Sequence, residues 1–210
     1  MEDAIALAKR DCSGFALHPS RSVCCKYFSR TGYYSLGSHE PKKSGFLHEQ
    51  NLAFLAAYKS DQRLFKLCVP KHAFNFWVAN LDRLPLNTRL AAWGLHVSPR
   101  CTFCSASPEL RDHLFFQCEV SSALVSWQAL LQWLLQGNNW ANVLLLKRLV
   151  SQATVYFIWS ERNSRRYNLI SLTPDSLFSK IDSTVRAILL GRRTRKGCSH
   201  LLSLWFRYCN

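Results

Sequence analysis

Residues 101–118 read CTFCSASPELRDHLFFQC. They space three cysteines and a histidine as Cys-x2-Cys-x8-His-x4-Cys, from Cys101 and Cys104 through His113 to Cys118. Thiolate and imidazole are the donors a borderline-soft ion such as zinc prefers, four at a time and tetrahedrally disposed. The Cys-x2-Cys pair lets a tight turn aim two sulfurs at one ion, and SASPEL is a natural loop between the two halves. In a chain with nine cysteines the pair alone carries little weight. The competing reading makes these cysteines small buried hydrophobes and His113 a solvated surface residue.

The spacing also imposes a condition on the backbone. Residues five apart on a continuous α-helix lie about 140° apart around its axis, so His113 and Cys118 cannot meet one ion from such a helix. The chain must leave regular α-helix before Cys118, and a new helix must start near Ser121.

Outward from this stretch the pattern is helical. In PKHAFNFWVANLDRLP, Phe74, Trp77, Val78 and Leu81 fall at i, i+3, i+4 and i+7, an amphipathic stripe, with Pro70 in the first turn and Pro85 closing the segment. NTRLAAWG predicts a short helix with Asn87 as N-cap and Gly94 past its end. After Cys118, Leu124, Trp127, Leu131 and Leu134 line one face of a helix that Gly137 stops. A further helix runs from about Val143 into ERNSRRYN, apolar nearly all round at first and basic at its end. TPDSLFSKIDSTVRAILLG predicts another, with Thr173 as N-cap, Pro174 and Asp175 in the first turn and Gly191 at the stop. Residues 1–62 hold turn signals and one apolar piece, NLAFLAAY, without sustained periodicity.

The expected fold is mainly α. A small helical domain carries a zinc-stapled CCHC knuckle between helices, and basic helices follow. The expected divisions are a poorly specified segment 1–62, a zinc-binding domain 63–137 and a basic helical region 138–210.

PKHAFNFWVANLDRLPLNTRLAAWGLHVSPRCTFCSASPELRDHLFFQC resembles the zinc-binding domain of plant LINE-type reverse transcriptases, which follows the polymerase in retrotransposons lacking long terminal repeats. The resemblance rests on FNFWVANLDRLP, RLAAWG, the Cys-x2-Cys pair and DHLFFQC. It covers about residues 66–128 closely and continues more loosely through ATVYFIWSERNSRRYN and TPDSLFSKID. It implies that Cys101, Cys104, His113 and Cys118 bind one zinc ion. The segment before residue 63 departs from the family pattern, because it does not look like a polymerase or thumb.

Catalysis is not expected. A polymerase needs clustered carboxylates to hold two divalent metals, whereas the only adjacent acidic pair among thirteen acids is Glu2–Asp3. Four protein ligands leave no open coordination position, so the zinc is structural. Leu110, Leu114, Phe115 and Phe116 are expected to pack the knuckle against the helices rather than stack on bases. Trp77, Trp93, Trp127 and Trp133 are likewise expected on core faces. Cys12, Cys24, Cys25, Cys68, Cys198 and Cys209 are read as inert thiols.

The chain carries 27 Lys and Arg against 13 Asp and Glu, a net charge of +14. Residues 147–210 hold twelve of the basic and three of the acidic groups, net +9. Two clusters stand out, Arg162, Arg165 and Arg166 in ERNSRR and Arg192, Arg193, Arg195 and Lys196 in RRTRK. Both are expected to contact phosphates of RNA or single-stranded DNA without sequence preference. RRTRK equally fits a nuclear-import signal. There is no signal-peptide pattern at the N-terminus and no run of about 18 apolar residues. The nine irregularly spaced cysteines fit a reducing, intracellular compartment, and the nucleus is the expected site. A separate reverse transcriptase chain is a further expected partner. The alternatives are a zinc-stabilised protein-interaction domain and an inactive retroelement gene fragment.

Overall fold

Pro70 has no main-chain N–H to leave unsatisfied, which suits the first position of a helix, and the first helix of the described chain begins on it. The computed structural model describes residues 69–121, 126–135, 141–194 and 198–209. Segment 1–62 with NLAFLAAY lies outside these residues, as do Cys12, Cys24, Cys25, Cys68, Leu124, Gly137, Arg195 and Lys196. The described residues form α1 (Pro70–Asn80), α2 (Asn87–Ala92), a π-helical turn (His113–Gln117), α3 (Trp127–Leu135), α4 (Ala141–Tyr167), α5 (Pro174–Leu190) and α6 (Cys198–Cys209). No strand occurs among them; Arg100 and Pro108 form one isolated antiparallel bridge. The fold is mainly α, and none of the described helices is long and apolar enough to cross a membrane.

The 27 residues of α4 make a rod about 40 Å long. It packs against α1, α3, α5 and α6. Its buried side chains include Leu146, Leu149, Val150, Ala153, Val155 and Ile158. One continuous core runs from Ala73 to Trp205.

α1 presents a different face to α4 from the one its apolar stripe suggests. His72, Ala73, Phe76, Ala79 and Asn80 are buried, while Phe74 is 61% and Trp77 40% exposed. The partners explain the choice. Ala73 and Ala79 are small enough for close approach, and the Asn80 Oδ1 accepts from Trp127 Nε1 at 3.0 Å. The Phe76 ring lies 5.3 Å from that of Trp127, and His72 stacks 4.3 Å from Tyr156. Trp127 and Trp133 are core residues as expected; Trp77 and Trp93 (63% exposed) are not.

Leu86, not Asn87, is the N-cap of α2, because Asn87 is drawn into the centre described below. At the other end Gly94 takes φ +83. Its N–H reaches the Ala91 carbonyl at 3.0 Å and the Leu95 N–H reaches Leu90 at 3.2 Å, the paired bonds of a left-handed helix cap. The start expected near Ser121 is a turn, and α3 begins at Trp127. α5 starts as expected, with Thr173 Oγ1 accepting from the Ser176 N–H at 3.2 Å, and it buries Leu177, Ile181, Val185 and Leu189. α6 has no counterpart in the sequence reading, although Cys198, Leu201 and Trp205 fall on its buried side.

Candidate metal centre

The Cys-x2-Cys half is a tight loop held by main-chain bonds. The Cys101 N–H donates to Ser107 O at 2.8 Å, Ser105 N–H to Cys101 O at 2.9 Å, and Glu109 N–H to Pro99 O at 2.9 Å. The Phe103 N–H points at the Cys101 sulfur, 3.4 Å away. This folds the chain so that Cys101 and Cys104 face one point.

The other half meets the backbone condition by widening the helix. Cys118 N–H donates to His113 O at 2.8 Å, the i to i+5 bond of a π-helix, which stacks residues five apart one turn above another. Cys118 then leaves in extended conformation, φ −72 and ψ 135. Leu114, Phe115 and Phe116 are buried in the core, each at most 3% exposed. Phe115 and Phe116 rings each lie 6.0 Å from that of Trp127. Leu110 is 55% exposed and does not join them, since it precedes the turn on the outer side of the loop.

The donor atoms of Cys101, Cys104, His113 and Cys118 all lie within 4.8 Å of one another. Cys101 and Cys118 sulfurs are 3.9 Å apart, and Cys104 Sγ is 3.3 Å from His113 Nε2. Tetrahedral bonds of about 2.3 Å to sulfur and 2.0–2.1 Å to nitrogen require separations of roughly 3.8 and 3.6 Å. The donor set and its spacing fit zinc, and the cluster is able to hold one ion. Among the described residues no other group of three or more His, Cys, Asp or Glu converges in this way.

The thiols' own electrostatics fit the same conclusion. The hydrogen bond to Cys118, and then burial, push the Cys101 thiol far above its usual range. The same bond holds Cys118 below its own. Cys101 is thus the donor and Cys118 the acceptor of that bond. A divalent ion there would supply the charge that lets all three thiols ionise.

Behind the loop lies a carboxylate the sequence reading passed over as part of SASPEL. Glu109 is 0% exposed and five donors converge on it. Oε1 accepts from Asn87 N–H at 2.8 Å and from Arg162 Nε and Nη2 at 3.1 and 2.6 Å. Oε2 accepts from Thr102 N–H at 2.9 Å and its hydroxyl at 2.6 Å. Burial alone would raise its pKa; the hydrogen bonds from Arg162 and Thr102 outweigh burial and hold it below the usual carboxylate range. Asn87 Nδ2 adds bonds to Arg100 O at 2.7 Å and Thr102 Oγ1 at 3.2 Å. The only signal for Glu109 in the sequence was its position as the sole acid between Cys104 and His113 that precedes an apolar residue.

The structure places the three arginines of the first basic cluster differently and corrects the expected role of Arg162, the buried one. Arg162 is 1% exposed, fixed to Glu109 and Asn87, and cannot reach a phosphate. Arg165 binds Glu161 at 2.8 Å and Leu172 O at 2.9 Å and covers the Phe103 ring at 4.8 Å. Arg166 donates to Asn87 Oδ1 and lies over Tyr167. Of the second cluster, Arg192 is half-buried with a partner of its own and Arg193 is exposed just past α5.

Residues 52–127 match the family model zf-RVT, described as zinc-binding in reverse transcriptase. The matched stretch contains all four ligand positions and ends before α4 begins. No curated protein and no solved structure matches the chain.

Proposed function

We propose that this chain is a non-catalytic zinc-binding module descended from the reverse transcriptase of a plant LINE-type retroelement, and that it contacts RNA or single-stranded DNA in the nucleus. The observation that carries the reading is the convergence of Cys101, Cys104, His113 and Cys118 within a stretch that matches the reverse-transcriptase zinc-binding family. Zinc staples the knuckle, and the surrounding helices have a core of their own. The absence of catalysis is supported, among the described residues, by how five of the carboxylates are used. Asp82, Glu109, Asp112, Glu161 and Asp182 each face an arginine instead of one another. Nucleic-acid contact is supported by the net charge of +14 and falls to basic groups outside the Glu109 network. A separate polymerase chain is the partner such a module would serve.

A second reading, a zinc-stabilised protein-interaction domain, is favoured by one observation. Phe74 and Trp77 stand exposed on α1, their rings 5.9 Å apart.

Elemental analysis of the purified chain tests the core of the proposal and should find one zinc per molecule. Binding of a fluorescent RNA that weakens with salt then favours the first reading; zinc without RNA binding favours the second. A protein with no bound metal, or primer extension on an RNA template by this chain alone, would overturn the proposal.

A further inference from the structure

The family match ends before α4, yet α4 reaches the knuckle through two arginines. Thr102 and Phe103 are the residues between the first two ligands, and their conformation sets how Cys101 and Cys104 face each other. Both are gripped from behind. Thr102 is held at its N–H and its hydroxyl by Glu109 Oε2. The Phe103 ring lies under the Arg165 guanidinium at 4.8 Å. Oε1 of the same carboxylate is anchored to the frame, to the start of α2 through the Asn87 N–H and to α4 through Arg162.

We infer that Glu109 is a positioning residue of the metal centre: it transmits the rigid placement of Arg162 on α4 to Thr102, and so presets the Cys-x2-Cys turn for its ion. This rests on the reading of Cys101, Cys104, His113 and Cys118 as a zinc site. A carboxylate suits the role because both oxygens receive donors and neither donates. A glutamine would keep one acceptor and turn an N–H toward a donor, either that of Thr102 or that of Arg162. A buried ion pair that only supported the core would lower folding stability without changing how tightly the folded chain holds zinc. A positioning residue changes that affinity, typically by about 10–100-fold.

The test is zinc affinity of the full chain, measured by competition with a chromophoric chelator, together with the absorption bands of the Co2+ form. The variants are Glu109→Gln, Thr102→Val and Thr102→Ser. Glu109→Gln should weaken zinc binding by about 10–100-fold and Thr102→Val by about tenfold, with shifted Co2+ bands. Thr102→Ser keeps the hydroxyl and should restore the parental values. If Glu109→Gln loses its helical circular dichroism, the two Thr102 variants decide, because they leave the Arg162 pair intact. The inference is overturned if folded variants bind as tightly as the parent, or if Thr102→Ser is as weak as Thr102→Val. A parent that takes up no zinc would instead remove the metal reading, and this inference with it.

Discussion

Cys104 is half-buried and belongs to the four-donor cluster, whereas Cys198 is a buried thiol on α6 outside it. Replacing Cys104 with serine leaves three ligands, one fewer than a structural zinc site uses. Elemental analysis should show the Cys104→Ser protein without its equivalent of zinc, and the Cys198→Ser protein with it. Loss of zinc in both would move the site elsewhere. The difference between these thiols was legible in the sequence because ligand spacing is local. Glu109 was not, since its partners Asn87, Thr102 and Arg162 come together only in the fold. Arg162 was misread for the same reason. An arginine run at a helix end looks alike whether it faces solvent or a buried carboxylate.

His72 gives a second prediction at this scale. It is 1% exposed and neither ring nitrogen has a hydrogen-bond partner among the described residues. Burial, helped by Lys71, lowers its pKa from 6.5 to about 4. The unfolded chain therefore binds a proton that the folded one refuses. Stability from this residue is complete above about 6.5 and declines as pH falls toward 4. At about 1.4 kcal/mol per pH unit the loss across that window is on the order of 3 kcal/mol. Urea midpoints of the parent and His72→Phe at pH 7.5 and pH 5 check it. Ligand protonation acts on both proteins, so the difference isolates His72. Equal pH dependence in the two would refute the assignment.

Among the elements, helix existence was more legible than helix orientation. Pro70, Gly94, Thr173 and Gly191 punctuate the chain by rules of local geometry, and the helices end where those residues place them. Which face a helix buries is decided by its neighbour. α1 turned its alanines to the core and left Phe74 and Trp77 outside, against the apolar stripe. The π turn lay between these cases. The ligand spacing required departure from the α-helix, but only the structure showed a wider helix in place of a loop. The burial pattern of α1 carries a prediction that the stripe reading reverses. Ala79 is 0% exposed, so Ala79→Leu overpacks the core beneath α1 and should cost about 1–3 kcal/mol in urea unfolding. Phe74→Ser, at a site 61% exposed, should stay within about 0.5–1 kcal/mol of the parent. The opposite order would mean that Phe74 and Trp77 face the core.

For the whole molecule, the net charge of +14 does not say which of the 27 cations a polyanion meets. Arg162, Arg165 and Arg186 are neutralised by Glu109, Glu161 and Asp182. Lys147 is tied to Trp133 O at 3.3 Å and its pKa is lowered by burial. Three thiolates and one Zn2+ leave the knuckle itself at −1, a poor magnet for phosphate. The proposed contact with a polyanion would rest on groups such as Lys180, Arg193 and Arg207, which are exposed, and on the rest of the RRTRK run. Each cation that contacts a single-stranded phosphate adds about 0.7 to the slope of log affinity against log salt. Changing Arg192, Arg193, Arg195 and Lys196 together to alanine should flatten that slope by as much as about 2.8 if all four make contact, and should weaken binding alike across sequences. Arg165→Lys, within the helix end that faces the knuckle, should leave the slope where it was. Fluorescence anisotropy with two unrelated RNA oligomers over a salt series measures both. If the quadruple variant keeps the parental affinity and slope, the segment after α5 is not the contact surface, and the protein-interaction reading gains the stronger position.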